Sequence, residues 1–133
     1  MKSIKISIPS LIENIKIIES FIDNARENFE INDDIYGNIM ISVTECISNA
    51  IIHGNQSDKN KLVNLELRLE DDLLKFTIED EGKGFELEAL ADPTAPENLE
   101  KPGGRGIFLI KHLSDEVKFE EGGRKVILSF YMD

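Results

Sequence analysis

The segment Glu45-Cys46-Ile47-Ser48-Asn49-Ala50-Ile51-Ile52-His53-Gly54 constrains this chain more than any other. Its acid, amide and imidazole recur at four-residue steps, so in a helix Glu45, Asn49 and His53 share one face. Ile35, Ile39, Val43, Cys46, Ile47 and Ala50 can face a core from the same helix, which needs an apolar layer to cover them. The helix is expected to begin near Asp33 or Asp34, whose carboxylates suit an N-cap and the positive end of the helix dipole. Gly54 is expected to stop it.

The flanking sequence supplies that layer. Lys2 to Ile8 alternates polar and apolar residues, the signature of a half-buried strand, and Pro9 ends it. Ser10 followed by Glu13 reads as a capping box for a helix running to about Phe29, with Ile15, Ile18, Phe21, Ile22 and Ala25 on its apolar stripe. Lys61 to Leu69 and Leu73 to Ile78 read as strands joined by a tight turn at Glu70-Asp71-Asp72. The stretch from Glu86 to Gly103 is polar, acidic and proline-containing, and reads as a long loop or lid. A short helix from Ile107 to Leu113 follows, then a hairpin of Val117 to Glu120 and Lys125 to Tyr131 around Gly122-Gly123. This order predicts an α+β fold, a two-layer α/β sandwich whose mixed, mainly antiparallel sheet is covered on one face by helices.

Length and charge narrow the functional classes. At 133 residues and 41% hydrophobic content, residues 1–133 are expected to form a single domain around one core. The 26 acidic residues against 15 basic ones leave a net charge of -11, which disfavours nucleic acid as a partner. The lone cysteine, Cys46, reads as a small buried apolar residue. The N-terminus lacks the apolar run of a signal peptide, and no stretch reads as long enough to span a bilayer. A reduced, cytoplasmic protein without membrane attachment is expected.

Three segments carry chemistry. On the helix, the Asn49 amide oxygen suits Mg2+, a hard cation that keeps waters and substrate phosphates as its other ligands. Glu45, one turn earlier, is placed to accept a proton from an attacking hydroxyl, and His53 completes the stripe. Asp80-Glu81-Gly82-Lys83-Gly84-Phe85 ends an apolar strand. There the Asp80 carboxylate can accept a hydrogen bond from an exocyclic amine such as adenine's, and Gly82 and Gly84 let the backbone approach a flat base. Gly103-Gly104-Arg105-Gly106-Ile107 precedes a helix, so main-chain N–H groups can face phosphate oxygens while Arg105, Lys83 and Lys101 add positive charge. Each segment has an ordinary reading, as a polar surface stripe, an Asp-Gly turn or a loop end. Their occurrence together in this order points to a Mg-ATP site. A P-loop and a dinucleotide-binding glycine motif are both missing.

The three segments resemble the N box (Glu45 to Ala50) and the two glycine boxes (Asp80 to Phe85 and Gly103 to Ile107) of the GHKL superfamily, the Bergerat-fold ATPases. Nearly the whole chain is similar to the anti-sigma factor serine/threonine kinases within it. The resemblance implies ATP and Mg2+ as cofactors, with Glu45 as general base, Asn49 on the metal, and Asp80 on adenine. It also implies a pocket shaped by Gly82, Gly84, Gly104 and Gly106. The implied activity is phosphorylation of an anti-sigma factor antagonist of the STAS type, alternating with capture of a sigma factor or other client. Homodimers are common in that family. Glu45 argues against a histidine kinase, whose imidazole attacks phosphate unaided. Two other readings stay open, a non-catalytic ATP-binding sequestration module and a small ATPase.

Overall fold

The computed structural model describes residues 2–82 and 104–132, of which residues 104–108 are described for their backbone alone. The expected lid, together with Lys83, Gly84, Lys101 and Gly103, lies outside the described residues.

Alternation builds the sheet. Strands β1 (Lys2–Pro9), β2 (Leu62–Glu70), β3 (Leu73–Glu79), β4 (Glu116–Glu120) and β5 (Lys125–Tyr131) pair in the order β1-β2-β3-β5-β4. All four pairings are antiparallel. The register places Ile8 opposite Val63, Leu65 opposite Ile78, and Phe76 between Leu67 and Leu128, so one face is apolar. The other face carries Lys5, Glu66, Arg68 and Lys75, with ion pairs such as Lys5–Glu66 at 3.6 Å and Lys75–Glu70 at 3.3 Å. Exposed pairs of this kind contribute only about 0–1 kcal/mol each. The β2–β3 turn has two residues, and Asp71 takes the left-handed conformation it needs (φ 55°), which a short polar side chain tolerates.

Helices α1 (Ile15–Asn28), α2 (Asp33–Asn49) and α3 (Gly104–Leu113) cover the apolar face. α2 packs against both other helices and across β3 and β5, which puts it at the centre of the helical layer. Ile18, Ile22, Ile39, Val43 and Ile47 meet Leu65, Leu67, Leu74, Phe76 and Phe130 in one continuous core. Each such buried side chain contributes about 1.5–3 kcal/mol, and Phe76 and Phe130 meet edge to face, their centroids 5.9 Å apart. Where α1 turns into α2, the Arg26 guanidinium lies 4.3 Å over the Tyr36 ring and the Tyr36 hydroxyl donates to Asp23 at 2.9 Å.

Three local expectations give way to longer-range contacts. The Ser10–Glu13 capping box does not form, because the buried Ser10 hydroxyl donates instead to the Lys61 carbonyl at 2.7 Å. A 3-10 turn, Ile12–Asn14, leads into α1. The N-cap of α2 is Asn32, whose Oδ1 accepts from the Ile35 N–H at 3.1 Å while its Nδ2 donates to the Met132 carbonyl. Asp33 and Asp34 therefore occupy the first turn, where they still complement the dipole. Finally, the helical stretch Asp33–Gly54 has 22 residues and a mean hydropathy of 1.3, long and apolar enough to cross a membrane, contrary to the expectation from sequence. Ile39, Val43, Cys46, Ile47, Ala50 and Ile51 from this stretch belong to the core, whereas Ile41 and Ile52 are exposed.

Candidate functional site

The polar end of α2 departs from regular geometry. After Asn49 the chain continues as a π-helical turn, Ala50–Gly54, and the Asn55 N–H donates to the Ala50 carbonyl five residues back at 2.8 Å. Such wide turns are rare and recur at functional sites. The helical stretch ends at Gly54 as expected, and Gln56 and Ser57, at φ 53° and 57°, complete the reversal just after it. Glu45 is half-buried and Asn49 is 6% exposed. His53, within the π turn, is exposed.

Gly54 is required by proximity. A Cβ atom there would stand 2.3 Å from Asp80 Oδ2 and 2.8 Å from Oδ1. Asp80 leaves the end of β3 with its N–H donating to the Arg124 carbonyl at 3.0 Å, and it is only 3% exposed. The Gly82 N–H donates to Asp80 Oδ1 at 2.7 Å. Burial pushes the Asp80 carboxyl above the usual carboxylate range, against the smaller opposing pull of the Gly82 N–H and the Arg124 charge. The end of the Glu45–Asn49 helix and the Asp80–Gly82 turn are thus one packed unit.

The third segment starts earlier than expected. α3 begins at Gly104, so Gly104, Arg105, Gly106 and Ile107 form its first turn, whose N–H groups have no partners within the helix. α3 packs against α2. N–H groups at a helix start are of the kind that receive anionic oxygens.

Sequence reasoning missed two polar residues here. Asn55, 1% exposed, accepts from the Glu81 N–H at 2.8 Å and donates to Ser10 Oγ at 2.8 Å and to the Leu62 carbonyl at 3.0 Å. An asparagine after a glycine reads as a turn residue, and nothing in the spacing signals such a clasp. Ser42, one turn before Glu45, is fully buried, and among the described residues its hydroxyl has no hydrogen-bond partner. Cys46 is buried as expected, and burial, with the nearby Glu45 charge, raises its thiol well above the usual range, which makes it unreactive.

Over residues 8–130 the sequence matches the family of the histidine kinase-like ATPase domain. The chain belongs to that family. Relatives of this histidine kinase-like ATPase domain include a serine-protein kinase RsbW from Oceanobacillus iheyensis, 25% identical over 97% of this chain and 86% of that protein. Another serine-protein kinase RsbW, from Staphylococcus epidermidis, is 28% identical with the same coverage. The crystal structure of the RsbU and RsbW domains of Rv1364c from Mycobacterium tuberculosis matches 98% of this chain with a TM-score of 0.68. At 13% identity, and with this chain spanning 31% of that one, the likeness shows the fold alone. The described residues thus include a buried asparagine at the end of α2, a buried carboxylate after β3 and a glycine-containing start of α3.

Proposed function

We propose that this chain is a protein-serine/threonine kinase that uses Mg-ATP to phosphorylate an anti-sigma factor antagonist and alternately holds a sigma factor or another client. The observation that carries this reading is the contact of Gly54 with Asp80 and Gly82, which joins the acid-and-amide helix to the carboxylate turn. The names of its relatives, serine-protein kinases, support the reaction class.

The residues divide the work. Asp80 accepts a hydrogen bond from the adenine amine, and Gly82, with Gly84, gives the base room to approach. The N–H groups of the Gly104–Ile107 turn, with Gly103 before it, receive phosphate oxygens, and Arg105 and Lys83 add charge. The Asn49 amide oxygen, on a buried residue at the end of α2, is the hard oxygen ligand that a magnesium ion would take, and the metal, when bound, would neutralise phosphate charge. Glu45 accepts the proton of a serine or threonine hydroxyl as that oxygen bonds to the γ-phosphorus and the bond to the bridging oxygen of ADP breaks. The carboxylate orients the hydroxyl as well, which is why an acid one helical turn from the metal-binding amide suits this chemistry. We place the protein in the cytoplasm.

Incubation with γ-labelled ATP, magnesium and STAS-type proteins from the same genome tests this. Label on a serine or threonine of one such protein is the expected outcome. Tight ATP binding with no transfer to any of them would instead favour sequestration, and phosphate release without an acceptor would favour an ATPase.

A further inference from the structure

The peptide that follows Asp80 is held by one side chain. Asn55 Oδ1 accepts from the Glu81 N–H at 2.8 Å, and this N–H belongs to the peptide plane attached directly to the Asp80 α-carbon. The other side of Asp80 is fixed by its own N–H on the Arg124 carbonyl at 3.0 Å. Asn55 is itself immobilised. Its Nδ2 donates to Ser10 Oγ and to the Leu62 carbonyl, and the Ser10 hydroxyl in turn donates to the Lys61 carbonyl at 2.7 Å. The Glu81 carboxylate closes the network by accepting from the Leu62 N–H. At 1% exposure Asn55 is shut off from bulk solvent.

We infer that Asn55 is a positioning residue for base selection, holding the Asp80–Glu81 peptide so that the Asp80 carboxylate points at the 6-position of a purine. This rests on the proposed adenine contact of Asp80 and extends it to a residue outside the three motifs. A carboxylate aimed at that position accepts from a 6-amino group and meets the lone pairs of a 6-oxo group, so it distinguishes adenine from hypoxanthine or guanine. Aim decides the discrimination, because a hydrogen bond weakens steeply once its angle departs from linear. Without Asn55 the Glu81 N–H loses its acceptor and the peptide can rotate. The Gly82 N–H bond to Asp80 Oδ1 then moves with it.

The test compares ATP with inosine triphosphate, which differs at the 6-position. Native protein is expected to bind ATP roughly tenfold or more tightly than inosine triphosphate, the scale of one hydrogen bond to a charged group. In Asn55→Ala that ratio is expected to fall to about threefold or less, through weaker ATP binding with little change for inosine triphosphate. Ile18→Val, a remote core change that lowers stability, is expected to leave the ratio unchanged, which separates positioning from general loosening. An undiminished ratio in Asn55→Ala would overturn the inference. Equal binding of both nucleotides by the native protein would overturn the Asp80 reading beneath it. A measurement on native protein covers the case of an unfolded variant. The Glu81 amide is expected to be protected from hydrogen exchange before nucleotide is added, and rapid exchange there would equally contradict a preset Asp80.

Discussion

A Cβ atom added to Gly82 would lie 1.8 Å from the carbonyl oxygen of Gly54. Backbone therefore meets backbone where the end of the acid-and-amide helix reaches the turn after β3. Neither side can yield cheaply, since Gly54 sits in a π turn and the Gly82 N–H is committed to Asp80. Gly82→Ala is expected to lower stability by about 1–3 kcal/mol, the usual cost of overpacking, and to weaken ATP binding in the folded fraction. Gly54→Ala is expected to act more on binding, because the nearest atoms it meets belong to the Asp80 carboxylate. Denaturant titration paired with nucleotide titration separates the two effects.

Asp80 carries a pH signature. Burial raises its carboxyl above the ordinary value, so between the two values the folded protein keeps a proton that the unfolded chain has released. Stability contributed by Asp80 is fully present below the ordinary carboxylate range and is lost as pH rises through the raised value. Asp80→Asn removes this dependence and keeps an oxygen for the Gly82 N–H. At neutral pH the nucleotide-free variant is expected to melt higher than the native protein. Its ATP affinity is expected to fall by about 1.5–3 kcal/mol, the worth of a hydrogen bond to a charged group. A melting temperature below native at neutral pH would contradict the buried-charge account.

Ser42 offers a cheaper gain. Its hydroxyl is fully buried and, among the described residues, unpartnered, so it bears a desolvation penalty with no compensating bond. Ser42→Ala is expected to stabilise the nucleotide-free protein by about 1 kcal/mol while leaving ATP affinity as it was. A loss of stability in a thermal melt would show that the hydroxyl has a partner.

The sheet was legible because its cause is local. Alternation in Lys2 to Ile8 and in the two hairpins assigns each side chain to a face, and one apolar face fixes the register. The stripe of Ile39, Val43, Cys46 and Ile47 likewise named the buried side of α2, and all four are core residues. Where a side chain answered to a distant partner, spacing misled. Ser10 bonds the Lys61 carbonyl, 51 residues away, in preference to a capping role. Asn32 captures the cap position ahead of Asp33 because its amide can donate to Met132 as well as accept from Ile35, which a carboxylate cannot do.

The site divides along the same line. The place of Asp80 and Gly82 in a turn at the end of a strand was readable, although such a turn is ordinary in itself and took its weight from the other two segments. Gly54 was picked out only as a helix stop, and the helical stretch does end there. Its actual constraint is the carboxylate opposite, which only the folded chain reveals. Asn55 was invisible since its side-chain partners, at Ser10, Leu62 and Glu81, come from three separate regions of sequence.

Glu45 bears the chemical step in this account, and a single-turnover comparison of native protein with Glu45→Ala measures that most directly. Both proteins would be saturated with γ-labelled Mg-ATP and mixed with the acceptor, and ATP affinity would be measured in parallel. The expected result is a transfer rate lower by about 10²–10⁴-fold, the range for loss of a general base, with ATP affinity close to native. Equal transfer rates in the two proteins would contradict the role of Glu45, and with it the reading of this helix face as the catalytic one.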